Sequence, residues 1–198
     1  MENKKIKILA LFGKSAAGKD DIQNWIIRHF PGYCNKIVSY TTRPPREGER
    51  DGENYFFITK EEFVKKVVSH SMLEQTQFRD WFYGTSLNQL DENKINIGVF
   101  NLAGIRSLLQ DPRVEVIPIW VHADDKVRLI RSLRREDYPD CFEICRRFMA
   151  DDADFKESLD FNYYKWLNNN EYHATFDYRY TQLQHILEGS DWAKLINL

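Results

Sequence analysis

The run Gly13-Lys14-Ser15-Ala16-Ala17-Gly18-Lys19-Asp20 fits the spacing G-x-x-x-x-G-K, and it constrains this chain more than any other feature. It follows an apolar segment, Lys5 to Phe12, that reads as a buried strand. It opens a segment, Gly18 to about Phe30, that reads as a helix ended by Pro31-Gly32. Between a strand and a helix, such glycines let backbone N–H groups curl round a phosphate at the helix N-terminus, and Lys19 adds charge at the group to be transferred. The last position of the pattern usually carries Ser or Thr, whose hydroxyl ligates Mg²⁺. Asp20 stands there instead. It either ligates the ion more strongly or serves as a negative charge at the helix N-terminus.

The rest of the chain repeats the rhythm of strand and helix. Lys36–Tyr40 reads as a short strand, and Thr59-Lys60-Glu61-Glu62 as the capping box of a helix through Ser69. Leu73–Phe78 and Trp81–Tyr83 are strand-like, with a helix start at Ser86. Ile95–Asn101, Val114–Val121 and Phe161–Leu167 read as strands; Leu102–Gln110, Asp124–Arg135, Cys141–Phe155 and Tyr178–Glu188 read as helices. Val127, Ile130 and Leu133 would share one helical face, and Cys141 and Cys145, one turn apart, read as half-buried core. Such alternation implies an α/β fold with a parallel sheet covered on both faces. The stretch from Thr41 to Tyr83 breaks the rhythm and reads as an insertion with its own small sheet.

Composition narrows the function. With 28 basic and 30 acidic side chains the net charge is −2, which argues against a general nucleic-acid binder. A hydrophobic content of 42% excludes a disordered chain, and 198 residues suffice for one domain that needs no disulfide or metal to fold. Three cysteines form neither a disulfide framework nor a zinc pattern, so a reducing, cytoplasmic location is expected. The apolar run Ile8–Phe12 is too short for a signal peptide, and no segment reads as a membrane span.

A second phosphate site is written in Ser39-Tyr40-Thr41-Thr42-Arg43-Pro44-Pro45-Arg46-Glu47-Gly48-Glu49, continued by Gly52 and Tyr55. Two arginines three apart on a proline-stiffened loop form a cationic clamp suited to a phosphate monoester. By composition alone the loop would be a solvated charged segment. The order of its residues closely resembles guanylate kinase, whose signature S-x-T-T-R-x-P-R-x-G-E, followed by G-x-x-Y, is matched through Tyr55. A second family segment follows, from Leu73-Glu74-Gln75-Thr76-Gln77-Phe78 to Tyr83-Gly84-Thr85-Ser86.

The resemblance implies a P-loop NTPase architecture: three layers α/β/α on a parallel core sheet (1–40 and 86–198), an inserted subdomain that binds the nucleoside monophosphate (about 41–85) and a helical lid (about 131–150). It implies that Gly13 to Asp20 bind ATP, and that Ser39, Arg43, Arg46, Tyr55 and Tyr83 hold the phosphate of the acceptor. Glu74 would accept from guanine N1–H and the exocyclic amine, and Thr85 would donate to the base. Arg128, Arg131 and Arg135 share one helical face, with Arg146 and Arg147 after the Pro139 break. Arg131, Arg135 and Arg147 fall at the spacing of the family's lid arginines, which would neutralise the migrating phosphoryl charge beside Lys19 and Arg43.

The chain departs from the family at Val99-Phe100-Asn101, where the resemblance expects Asp-x-Asp. Val99 removes an acid from the expected Mg²⁺ environment, and Asn101 alters a contact near the guanine base. Asp20 would take over part of the missing acid's role at the metal. The expected activity is transfer of the γ-phosphoryl group of ATP, with Mg²⁺, to GMP or dGMP. Two alternatives stand beside it: a kinase for another (deoxy)nucleoside monophosphate, and a guanylate-kinase-like binding domain that has lost catalysis. No nucleic-acid or membrane partner is expected, and the oligomeric state is not legible.

Overall fold

In the computed structural model the apolar runs of the sequence become strands of one parallel sheet, in the order β2-β7-β1-β8-β9. The structure describes residues 5–46, 48–78, 80–135, 137–156, 159–188 and 190–195; Glu47 of the Ser39–Glu49 run lies outside them. The strands are β1 (Ile6–Phe12), β2 (Cys34–Lys36), β7 (Ile95–Val99), β8 (Val114–His122) and β9 (Tyr164–Leu167), and every pairing among them is parallel. Alternation along β1 feeds two cores. Leu9 and Leu11 pack with Ile22, Trp25 and Ile26 of α1 (Lys19–His29), with Leu183, Ile186 and Leu187 of α6 (Phe176–Leu187), and with Trp192 of α7 (Asp191–Leu195). Ile8, Ala10 and Phe12 pack on the other face against Ile105 and Leu108 of α3 (Leu102–Gln110). Helices on both faces of a parallel sheet make the three layers that the sequence implied.

A second sheet, in the order β4-β3-β6-β5, stands beside this core. It contains β3 (Tyr40–Thr41), β4 (Phe56–Phe57) and the antiparallel pair β5 (Met72–Phe78) and β6 (Trp81–Ser86). α2 (Lys60–Val68) is capped as the sequence indicates: Thr59 Oγ1 accepts from Glu62 N at 3.2 Å, and Glu62 accepts from Thr59 N at 2.8 Å. Its buried Phe63 stacks on Phe82 of β6 with ring centroids 5.5 Å apart.

Several elements differ from the sequence reading. The strand expected over Lys36–Tyr40 is split between the sheets. Gln23 takes up the Ile37 carbonyl at 3.2 Å and Gln89 takes up that of Val38, so side chains rather than a strand partner satisfy these two carbonyls where the backbone crosses. Ser86 caps a short 3₁₀ turn, Leu87–Gln89. Only Tyr164–Leu167 pairs at the sheet edge, because Phe161 instead packs its ring against Phe12 at 5.6 Å. α7 escaped the reading, although it buries Trp192, whose indole donates to Glu115 at 2.9 Å.

The largest revision concerns α4 (Asp125–Arg134) and α5 (Cys141–Asp154). Ile130 and Leu133 are 37% and 38% exposed, whereas Arg128 of the same helix is fully buried. Burial of a guanidinium is tolerated only with partners, and Arg128 has them in Asp125 at 2.5 Å, in Asp151 and in the Ser15 carbonyl at 2.9 Å. Cys141 and Cys145 are exposed on α5 rather than half-buried. No helix among the described residues is long and apolar enough to cross a membrane.

Candidate active site

β1 runs directly into the glycine-bearing loop, and the loop's backbone explains its residue types. Gly13 has φ +145°, and a Cβ there would lie 2.3 Å from the Val121 carbonyl oxygen. Gly18 has φ +91°, and its missing Cβ leaves room for the Asn168 amide. α1 starts at Lys19, with Asp20 and Asp21 in its first turn, where negative charge suits the helix dipole. Asn168 is buried and donates to the Ala17 carbonyl at 2.8 Å, fixing the loop from behind.

The Lys19 ammonium donates to the carbonyls of Gly13 at 2.9 Å and Lys14 at 3.0 Å, so it lies across the mouth of the loop. Burial lowers its pKa, and the nearby charges of Asp20 and Asp151 offset part of that. Ser15 donates to Asp151 from its backbone N–H at 2.8 Å and from its hydroxyl at 3.2 Å, while Lys14 pairs with Asp152 at 2.5 Å. The loop thus meets α5 through carboxylates.

The clamp on the opposite wall is equally well fixed. Arg43 is buried, donates to the Pro44 carbonyl at 2.7 Å and to Glu49 at 2.9 Å, and lies 5.5 Å above the ring of Tyr55. Glu49 also accepts from the Arg46 backbone N–H at 2.7 Å. Burial raises the Glu49 pKa, but these hydrogen bonds outweigh it and hold the carboxyl below its ordinary value. Burial, with the charges of Arg43 and Arg147, lowers the Arg46 pKa, as expected where three guanidiniums converge. Arg147 reaches this point from α5, oriented by Glu143 at 2.9 Å.

Beyond the clamp lies the floor of the cleft. Glu74, on β5, is only 8% exposed; burial raises its carboxyl to about 7 despite hydrogen bonds from Thr85. Thr85 is fully buried and shares a hydrogen bond of 3.1 Å with Ser39. Asn101 caps α3 by accepting from Gly104 N at 2.8 Å, and its amide donates to Thr76 at 3.1 Å.

Three adjoining cavities join these parts. One of about 380 Å³ is lined by Gly13, Ser15, Lys19, Ser39, Tyr55, Glu74, Tyr83 and Asn101, together with Thr76, Val99 and Asp151. A second, of about 110 Å³, lies between Ser15 and Ala16 of the loop and the guanidiniums of Arg46, Arg135 and Arg147. The third, also about 380 Å³, is bounded by Arg43, Arg46, Tyr83 and Arg147. Arg131 stands apart from all three. Its guanidinium donates to the Asn168 carbonyl at 2.8 Å and the Ala17 carbonyl at 3.3 Å, behind the loop.

Asp151 and Arg128 are among the site residues not assigned a role from sequence. Asp151 falls in a segment read only as a helix, Cys141–Phe155, and Arg128 reads as one arginine in a basic face; neither spacing betrays their meeting across the loop. Chemically the arrangement offers two anion sites, one of backbone N–H groups and Lys19, the other of arginines, with a carboxylate-floored pocket beyond the second.

A model of the guanylate kinase family matches residues 5–190. Among curated relatives, the guanylate kinase of Campylobacter jejuni (strain RM1221) is 29% identical over 160 residues, covering 79% of this chain and 78% of the relative. That of Malacoplasma penetrans (strain HF-2) is 31% identical over 165 residues, covering 80% and 76%. The crystal structure of guanylate kinase from Anaplasma phagocytophilum superposes with a TM-score of 0.62 at 20% identity, covering 94% of this chain and 89% of that one, and supports the fold.

Proposed function

The chain belongs to the guanylate kinase family, and we propose that the cleft between the phosphate loop and the arginine clamp is where it transfers the γ-phosphoryl group of ATP to GMP. The observation that carries this assignment is the second cavity, in which the donor loop (Ser15, Ala16) faces Arg46, Arg135 and Arg147. An in-line transfer needs two phosphates end to end with positive charge around the moving group, and this juxtaposition supplies it.

In this reading the loop's N–H groups and Lys19 hold the β- and γ-phosphates of ATP. Ser39, Arg43, Arg46, Tyr55 and Tyr83 hold the phosphate of GMP, and Arg43 is pre-oriented for it by Glu49. Arg135 and Arg147 neutralise the charge that develops between the two. Segment 131–150 acts as a lid over the cleft and residues 41–85 as the acceptor-binding unit. Guanine is read by Glu74, accepting from N1–H and the amine, and by Thr85 as donor. Because the acceptor oxygen is already anionic near neutral pH, no general base is needed; catalysis is positioning plus electrostatics.

Mg²⁺ fits this chain as an ion shared with the nucleotide. Among the described residues no three His, Cys, Asp or Glu gather into a protein-only cage, which suits an ion that takes one or two carboxylates and completes its shell with phosphate oxygens and water. Asp20, exposed beside Lys19, is the carboxylate we assign to it. When bound, the ion supplies charge neutralisation on the donor phosphates.

The test is ADP release from ATP and Mg²⁺ with GMP, dGMP, AMP, UMP, CMP and dTMP offered separately. Turnover confined to GMP and dGMP is expected; turnover with another base discards Glu74 and Thr85 as guanine readers. Asp20→Thr should weaken Mg²⁺-dependent turnover, and an unchanged metal dependence removes Asp20 from the metal site.

A further inference from the structure

The contact between α5 and the phosphate loop has a chemical form of its own. Asp151 is a carboxylate with two oxygens accepting from one loop residue, the Ser15 N–H at 2.8 Å and the Ser15 hydroxyl at 3.2 Å, and it is also paired with Arg128 Nη2. A backbone N–H of a glycine-bearing loop, a hydroxyl and a guanidinium are the donors that recognise a phosphoryl oxygen. From this geometry we infer that Asp151 occupies the place of an oxygen of the donor phosphate, and that α5 must withdraw this carboxylate before ATP can seat. The inference rests on the reading of Gly13 to Asp20 as the donor site.

Arg128 makes the exchange specific. It is fully buried, held by the Ser15 carbonyl at 2.9 Å and by Asp125 at 2.5 Å, and stacked 4.2 Å from the centre of the Phe148 ring. The first two anchors do not belong to α5, so the guanidinium stays at the loop when Asp151 leaves. A buried cation that loses one of its anions is costly, and a triphosphate replaces it at the same atoms. Arg128 thereby becomes a ligand of the donor phosphate.

The consequence reaches the acceptor side. Arg147 lies one helical turn before Asp151 on α5 and lines the clamp cavity. Asp152, next along the helix, is tied to Lys14 of the loop at 2.5 Å. Arrival of a triphosphate at the loop therefore releases the helix that carries Arg147, and the coupling between donor binding and helix position is reciprocal.

Titration calorimetry with the β,γ-imido analogue of ATP and Mg²⁺ tests this on the whole chain. Asp151→Asn should bind the analogue about tenfold more tightly than the unaltered protein, within the span of ordinary site-to-site couplings. Asp151→Glu keeps the charge and should stay within about twofold of the unaltered protein, less than half a kcal/mol. Equal or weaker binding by a cooperatively melting Asp151→Asn overturns the inference and makes Asp151 a brace for the loop. A second readout needs no variant: the analogue alone should change amide hydrogen exchange over residues 141–154 of the unaltered protein. Protection gained in the loop with none altered in α5 contradicts withdrawal. An analogue that fails to bind the unaltered protein at all refutes the donor-site reading itself, a different result from either of these.

Discussion

The two anion sites of the cleft hold their charges in opposite ways. At the phosphate loop, donors face acceptors from the chain itself: Lys19 bonds the carbonyls of Gly13 and Lys14, and Ser15 bonds Asp151. At the clamp, Arg43, Arg46 and Arg147 crowd together, and their mutual repulsion contributes to the lowered pKa of Arg46. Glu49 and Glu143 fix the directions of Arg43 and Arg147 rather than lying between them. Binding at the loop is thus an exchange of anions, whereas binding at the clamp relieves a concentration of like charge. The comparison teaches that a pre-satisfied site gains selectivity at the expense of affinity, and a crowded one gains affinity for any dianion. On the proposed reading, base discrimination rests on Glu74 and Thr85.

The sharpest way to break this contrast is to delete the Lys19 charge at the loop. Lys19→Ala should lower kcat by about 10²–10³-fold, as expected for loss of a preorganised charge at the transferred group; near-unaltered turnover in an ADP-release assay would remove the loop from the chemistry. Arg46→Ala should lower kcat/KM for GMP by about 10–100-fold, the size of one lost charged hydrogen bond, with little change in ATP affinity. An equal loss for both nucleotides would mean that the two sites are not separable.

Glu74 sharpens the comparison through pH. Its carboxyl, raised by burial from 4.5 to about 7, must be ionised to accept from guanine. KM for GMP should therefore rise about tenfold per unit as pH falls below 7, and Glu74→Gln should abolish that slope while raising KM throughout. A flat KM between pH 8 and pH 6 contradicts the role. The same shift carries a stability sign. The folded state holds this proton more tightly than the unfolded one, so the contribution to stability is full below pH 4.5 and is lost as pH rises towards 7. The smallest effect belongs to a position outside both sites: Thr59→Ala removes the α2 capping box and should cost about 1 kcal/mol in chemical denaturation, with kcat unchanged.

Much of this was legible in the sequence, for identifiable reasons. The loop announces itself because its glycines are forced: Gly13 and Gly18 have positive φ and no room for a Cβ. The capping box at Thr59 and the run Leu102–Gln110 were readable because their determinants are local. The misreadings share a cause, which is long-range satisfaction of polar groups. Arg128 is buried because Asp125, Asp151 and Ser15 surround it, so of the apolar stripe Val127–Ile130–Leu133 Val127 packs on the core while Ile130 and Leu133 stay exposed. Arg131, placed by the family's spacing among the lid arginines, bonds the Ala17 and Asn168 carbonyls behind the loop, contacts that no spacing reveals. The split of Lys36–Tyr40 depends on two glutamines, Gln23 and Gln89, from other parts of the chain. Asn101, read only as a change near the base, also caps α3.

The central claim is that the donor loop and the acceptor clamp form one continuous cleft, joined at Arg46, Arg135 and Arg147. Calorimetric affinity for a single molecule with adenosine and guanosine at the two ends of a pentaphosphate tests it most directly. The account predicts binding at least about a hundredfold tighter than either ATP or GMP, because the second contact becomes intramolecular. Binding no tighter than that of the better single nucleotide would contradict it.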